Sequence, residues 1–260
     1  MSTLIRDYER FAKEANEICK GRVYTDHLRR YAYGVDASCY SYLPKVVVKA
    51  EDEREVRRLI RLCQQCGTPF TFRAAGSSLS GQCSSEDVLI VCNDGFKKME
   101  VIDDGKALKC ECGVIGSDAN DLLKPYNRKI GPDPATLATA LVGGILNNNS
   151  SGMCCGTAQN SYKTIRSIRV VLLDGSILDT SDQKSINQFL KEKPQMVEDI
   201  LQLRKDILAD EELTHLIHHK YKIKNTTGYG LNSLVDFEDI IDIINHLFIG
   251  SEGTLGFVSE

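Results

Sequence analysis

The sequence lacks any basic excess: its 260 residues carry 32 Lys and Arg against 36 Asp and Glu, a formal net charge of -4. Nucleic acid and anionic membrane surfaces are both met by basic stripes, so neither is supported as a partner. Long hydrophobic runs are missing as well. The N-terminus is charged from Arg6 onward without an apolar stretch of signal-peptide type, and no segment reads as a membrane span. Nor does an internal repeat or low-complexity tract interrupt the chain. Its length fits one large domain or two smaller ones with a full core.

The familiar nucleotide motifs fall short too. Gly76 and Gly81 have the glycine spacing of a P-loop, but Gln82 and Cys83 stand where the phosphate-reaching lysine and the magnesium-holding hydroxyl would be. ATP or GTP hydrolysis is therefore disfavoured. A dinucleotide fingerprint needs three glycines after a strand, and this stretch has two, so NAD binding is disfavoured there as well. What remains, from Phe72 to Gln82, is a loop of alanine, glycine and serine after a short β-prone run. Such a loop exposes backbone N–H groups that can converge on an anion, each hydrogen bond to a charged oxygen being worth about 1.5–3 kcal/mol. An ordinary surface turn is the alternative for this stretch taken alone.

Ten cysteines are many for this length, yet they form neither a secreted disulfide framework nor an iron–sulfur run. Cys63 and Cys66 have redox-motif spacing, but they end a helical pattern of Val56, Leu59, Ile60 and Cys63 that stops at Gly67 and Pro69. A helix C-terminus disfavours thiolate. Cys110 and Cys112 alternate on a strand, and Cys154 and Cys155 are a vicinal pair in a loop. The cysteines are read as reduced, which points to the cytoplasm.

Along the chain, Leu4, Tyr8, Phe11, Ala15 and Ile18 predict an amphipathic helix ending near Gly21. Val46–Lys49 reads as a strand, Asp52 begins a helix, and Phe70–Arg73 reads as the next strand, a β-α-β unit for a parallel pair. Further strands are expected at Val88–Cys92, Lys98–Ile102 and Ala107–Cys112, and a helix at Ser117–Leu123. From Gly131 to Gly152, two prolines stiffen a turn and Ala138–Leu146 predicts a small-residue helix containing Gly143 and Gly144. Each helical glycine costs about 1 kcal/mol relative to alanine, so either a ligand or a tightly packed neighbour needs the backbone close. Ile168–Leu178 predicts a hairpin with a two-residue turn at Asp174-Gly175, and Gln183–Leu208 is helical with a break at Pro194. The helix from Glu211 to Lys222 carries His215, His218 and His219, a conceivable metal face but more simply a solvated one. A polar loop, Lys222–Asn232, precedes a helix at Ile240–Phe248 and a third glycine-rich turn, Gly250–Gly256, that runs into Phe257 and Val258.

The three glycine-rich stretches in this order resemble the FAD-binding domain of the vanillyl-alcohol-oxidase and p-cresol-methylhydroxylase superfamily, in its D-lactate dehydrogenase and glycolate oxidase branch. The likeness runs from Pro44 to Glu260 and leaves 1–43 as an N-terminal helical and extended segment. It implies an α+β, two-subdomain PCMH-type FAD-binding fold, with a small N-terminal α/β part and a larger mixed-sheet part. By the same resemblance, Arg73, Ala74, Ala75, Gly76, Ser77, Ser78, Gly81 and Gln82 belong to the cofactor-binding first loop, in which the main-chain amides of Ala74 to Ser78 and of Gly81 wrap the FAD diphosphate. Pro132, Asp133, Pro134, Thr136, Thr139, Gly143, Gly144 and Asn149 run along the flavin and its ribityl and phosphate chain, and Gly152 closes that turn. Glu252, Gly253 and Gly256 match a turn near the nucleotide end, with Val258 close to adenine.

Two departures matter. Ala74 or Ala75 stands where the family has glycine, so the backbone there is expected to avoid positive φ or bear strain. Ser77 occupies the place of the histidine that tethers flavin in some relatives, so FAD is expected to be noncovalent. The chain also ends where family members continue into a substrate-binding cap, and it is expected to be an N-terminal fragment, inactive alone. The activity implied for the whole protein is that of a D-2-hydroxy-acid dehydrogenase, with hydride passing to flavin N5, the substrate held mainly by the cap, and an iron–sulfur or quinone acceptor. A cytoplasmic location, or one peripheral at the membrane through that acceptor, goes with it. The alternatives are a binding module without turnover and a non-redox relative resembling alkyl-dihydroxyacetonephosphate synthase. No catalytic residue and no metal ligand is assigned within the chain.

Overall fold

The computed structural model describes residues 6–226 and 228–260, so Leu4 of the first helical pattern and Thr227 of the polar loop lie outside the described residues. The first helix, α1 (Tyr8–Ile18), starts where the Asp7 carboxylate accepts the Arg10 N–H at 2.9 Å, and it buries Phe11 and Ala15. It is followed by β1 (Val23–Tyr24) and a short helix, α2 (His27–Ala32), which buries none of its residues and so left no apolar periodicity to read. Then come β2 (Val46–Lys49), α3 (Glu53–Cys66), β3 (Phe70–Arg73) and β4 (Val88–Val91). The Asp52 carboxylate caps α3, and Val56, Leu59, Ile60 and Cys63 face inward as their spacing predicts. These elements share one core with Phe11, Ala15 and Cys19, so the N-terminal residues pack as part of the first sheet.

The order in that sheet is β1-β2-β4-β3, with β2 and β3 each parallel to β4. The expected β-α-β pair is therefore parallel but not adjacent. Val88 to Val91 are all buried, whereas β3 is half-buried along its length. The more apolar strand takes the central position, where both faces are covered.

The larger part begins with the hairpin β5 (Met99–Ile102) and β6 (Ala107–Cys110), then α4 (Gly116–Leu123), α5 (Val142–Asn147) and α6 (Ser161–Thr164). The helix predicted over Ala138–Leu146 starts only at Val142. Leu141 is drawn into a bridge with Ile115, and the amides of Val142 and Gly143 donate to the carbonyls of Val114 (2.8 Å) and Cys112 (2.9 Å). Gly143 and Gly144 consequently sit in the first turn rather than mid-helix.

β7 (Arg169–Leu172) and β8 (Ile177–Asp179) form the predicted hairpin, but its turn spans three residues, Leu173 to Gly175. Gly175 takes φ +78°, and Asp174 accepts the Ser176 N–H at 2.9 Å, the geometry of a type I turn followed by a left-handed residue. Helices α7 (Gln183–Glu192) and α8 (Pro194–Ala209) are separated at Pro194 as expected, and α9 (Glu211–Lys220), α10 (Ser233–Asp236) and α11 (Ile240–Leu247) follow. The last strand, β9 (Gly256–Val258), returns to pair antiparallel with β7, giving the order β8-β7-β9.

Arg169 on β7 locks the two parts together. Its guanidinium forks onto Glu53 of α3 at 2.7 and 3.0 Å and reaches Asp179 at 3.2 Å, while Ser259 Oγ donates to Glu53 at 2.8 Å. Burial raises the Glu53 carboxyl, but the hydrogen bonds from Arg169 and Ser259 outweigh it and hold the group below its ordinary range. No described helix is long and apolar enough to cross a membrane.

Candidate functional site

The first glycine-rich loop leaves the C-terminal end of β3, the second runs up to and beyond α5, and the third enters β9. All three border one cavity of about 520 Å³, inside the range of about 300–1,000 Å³ common for small-molecule and cofactor sites. Every site residue named from the sequence lines it except Gly81, Pro132, Asp133, Thr139, Asn149 and Gly152. Among the described residues, the N–H groups of Ala75, Gly76 and Ser77 donate to no protein acceptor. Ala74 and Ala75 keep negative φ, so the loop turns without strain at the alanines.

A single carboxylate joins the three loops. Glu252 Oε1 accepts Gln82 Nε2 from the first loop at 3.2 Å and Asn148 Nδ2 from the second at 2.6 Å. Ser78 Oγ donates in turn to Gln82 Oε1. The backbone closes the same junction: Glu252, at φ +53°, donates its N–H to Asn147 O at 3.0 Å, and Ser251 Oγ donates to Asn147 Oδ1 at 3.1 Å. Burial pushes the Glu252 carboxyl up, only partly offset by the two amide donors. The site is thus a pocket rich in neutral donors, with its one carboxylate already engaged by side chains.

The two adjacent glycines of α5 do different things. A Cβ on Gly143 would lie 2.6 Å from Cys112 Cβ and 3.1 Å from Cys112 O, so this residue lets the helix press against the turn that follows β6. A Cβ on Gly144 would meet only Ala74 Cβ, at 3.4 Å, so this residue keeps a wall of the cavity flat. Packing accounts for one glycine and the cavity for the other.

The residues outside the lining hold its frame. Asp133 accepts the N–H groups of Gly152 (3.0 Å), Cys155 (3.2 Å) and Cys154 (3.3 Å), and contact with Cys155 helps keep its carboxyl below the usual range. A Cβ on Gly152 would come within 1.9 Å of Asp133 O, so the two turns can meet this closely only at a glycine. Thr139 Oγ1 donates to Thr136 O at 3.2 Å, and Pro132 is buried behind the turn. Gly81 lies against the Tyr40 ring, and Asn149, at φ +48°, donates to Asn225 O at 3.1 Å. Arg73, though at the cavity, points its guanidinium into the N-terminal segment, donating to Tyr33 O at 3.2 Å and Val35 O at 2.7 Å. It anchors the loop from behind.

Sequence reasoning missed Asn148, Lys224 and the thiols of Cys83, Cys92 and Cys112, all of which line the cavity. Asn148 carried a usable signal, lying within the asparagine run after the glycine pair. Lys224 carried none, being one polar residue of a polar loop. Burial pushes Cys83 up to about 11, and Cys92 and Cys112 well above the ordinary thiol value. Among the described residues no group of three His, Cys, Asp or Glu is placed to hold a metal ion.

Comparison with known proteins agrees with this geometry. The chain is 26% identical over 247 residues to a D-2-hydroxyglutarate dehydrogenase of Pantoea ananatis, covering 92% of this chain and 24% of that protein. It is 24% identical over 237 residues to glycolate oxidase subunit GlcD of Bacillus subtilis (89% and 39%), and 24% identical over 219 residues to a D-lactate dehydrogenase of Archaeoglobus fulgidus (83% and 37%). The chain therefore spans about a quarter to two-fifths of these relatives' lengths. Among solved structures, an alkyldihydroxyacetonephosphate synthase superposes over 100% of this chain and 41% of its own, with a TM-score of 0.62 and 17% identity. A p-cresol methylhydroxylase with substrate bound matches over 66% and 35%, with a TM-score of 0.55 and 16% identity. At such identities the structures establish the fold alone, an α+β architecture of PCMH type. Residues 44–181 match the family described as FAD binding domain, and with more than half of its length in that match the chain belongs to this family and takes FAD as its cofactor.

Proposed function

We propose that this chain is the cofactor-holding part of a flavin-dependent oxidoreductase that oxidises a D-2-hydroxy acid. The observation that carries the reading is the meeting of three sequence-distant loops on the Glu252 carboxylate around a single cavity. The residues present fit the cofactor: free amides at Ala75, Gly76 and Ser77 suit a diphosphate, and the side-chain-free face of Gly144 suits a flat ring. When bound, FAD supplies a two-electron acceptor at flavin N5 for hydride from the substrate α-carbon.

The chain's own residues bind and orient. Ala74 to Ser78 and Gly253 hold the diphosphate by main-chain donors, Pro134, Thr136 and Gly144 border the ring and ribityl chain, and Val258 lies towards the adenine. Asp133 and Gly152 shape the second turn from outside the cavity. Binding is noncovalent, because Ser77 offers no ring nitrogen and burial keeps the nearby thiols protonated at neutral pH. Residues 44–260 form the FAD-holding portion behind an N-terminal segment, 1–43. The groups that bind the substrate carboxylate and the base for its hydroxyl proton come from outside these loops, and electrons leave to an iron–sulfur centre or a quinone.

The test is spectroscopic and then chemical. The protein reconstituted with FAD should show the flavin absorbance bands. A colourless product after reconstitution refutes the cofactor reading. The FAD-loaded protein, mixed anaerobically with D-lactate, glycolate or D-2-hydroxyglutarate, should bleach with at least one of them; bleaching by none removes the dehydrogenase assignment.

A further inference from the structure

The cavity is lined by three acidic or basic side chains, and two are already committed: Arg73 to the N-terminal segment and Glu252 to the loop junction. The third is Lys224. It lies on a stretch whose residues divide between two spaces: Lys224 and Thr226 line the cofactor cavity, while Lys222 and Asn225 line a second cavity of about 380 Å³. The Lys224 ammonium donates to Ser151 O at 2.7 Å and has no ion-pair partner among the described residues. An ammonium has three donors, so two remain for a guest. Beside it, the Ser151 hydroxyl is buried and unpartnered, on a residue only 8% exposed that also lines the cavity. A cation with spare donors next to an unmatched hydroxyl can receive an anionic atom.

Two parts of bound FAD can be anionic. The neutral amides of the first loop already suit the diphosphate, whereas Lys224 reaches from the polar loop to Ser151 of the second glycine-rich loop, whose Gly144 lines the same cavity. Resting on the function proposed above, we propose that Lys224 is the charge partner of the flavin ring, favouring the negative charge that the ring carries once reduced. The balance is simple. Breaking the substrate C–H bond delivers two electrons and one proton to N5, the hydroxyl proton goes to a base, and the ring is left with one negative charge while N1 stays unprotonated. A nearby cation tunes such a ring by its charge.

The test compares affinities. FAD and dithionite-reduced FAD are titrated into the wild-type chain, Lys224→Met and Lys224→Arg, with thermal melts confirming that each folds. Lys224→Met should weaken reduced FAD about tenfold more than oxidised FAD, equivalent to a midpoint potential about 30 mV lower for a two-electron couple. Lys224→Arg should restore most of the difference. Equal weakening of both forms assigns the lysine to the diphosphate and overturns the proposal, as does no change in either form. If the wild-type chain binds neither form, the cofactor reading itself fails first.

Discussion

Replacing the two neighbouring glycines of α5 one at a time separates fold from function. In Gly143→Ala the new methyl would lie 2.6 Å from Cys112 Cβ, against an ordinary carbon–carbon contact of about 3.5–4.0 Å. The neighbour is the backbone and Cβ of a buried turn residue, which cannot swing away, so an overpacking cost of about 1–3 kcal/mol is expected. For a domain of this size that lowers Tm by about 2–4 °C per kcal/mol. In Gly144→Ala the methyl meets only Ala74 Cβ, at 3.4 Å, and alanine gains helix propensity of up to about 1 kcal/mol. That variant should melt at or above the wild-type temperature, yet its methyl occupies the cofactor wall and should weaken FAD about tenfold or more. Differential scanning fluorimetry without FAD, followed by a flavin-fluorescence titration, measures both quantities. Gly144→Ala binding FAD like wild type, or the two variants losing stability together, would refute this division of labour.

Three further outcomes follow from the charges and thiols. The folded Glu53 carboxyl is depressed below its unfolded value of about 4.5, so its stabilisation is complete above that pH and lost as pH falls through the folded pKa; Glu53→Gln should cost about 1–3 kcal/mol at neutral pH and flatten the acid limb of a Tm–pH profile, and an unchanged limb would argue against the lock. Glu252 runs the other way: its pKa is raised above 4.5, so the cost of ionising it is absent below the unfolded value and complete above the folded one. Glu252→Gln, which keeps an acceptor for Asn148, should therefore gain on wild type in Tm as pH rises through that window, and a constant offset from pH ~4 to ~8 would contradict it. Of the ten cysteines, Cys39 and Cys154 are exposed and should label quickly with a thiol reagent, whereas Cys63, pushed up to about 12 by burial, should label only on unfolding, as peptide mapping would reveal.

Much of the fold was legible because several of its strands are short apolar runs and several of its helices begin at capping aspartates. Val46–Lys49 and Val88–Val91 announce themselves by composition, and Asp52 opens α3 as expected. What failed depended on partners far away in sequence. No local feature of Phe70–Arg73 says that a later strand will sit between it and Val46–Lys49. Ala138 to Leu141 have good helix formers, yet a bridge to Ile115 claims Leu141. The cavity's glycine loops were visible as motifs because backbone donors tolerate only small residues around them. Lys224 was not, because a lysine in a polar loop looks the same whether or not it turns towards a cavity.

The stitching of Gln82 to Glu252 also has a bearing on how the protein is born. The two residues are 170 positions apart, and at a synthesis rate of about 5–20 residues per second they leave the ribosome roughly ten to thirty seconds from each other. During that interval the early sheet can be complete while its phosphate-type loop still has no counterpart to lean on. Cofactor capture is then a late event in biosynthesis, gated by the arrival of the closing strand, and a nascent chain stalled before Gly256 would be folded in its first layer but unable to turn yellow.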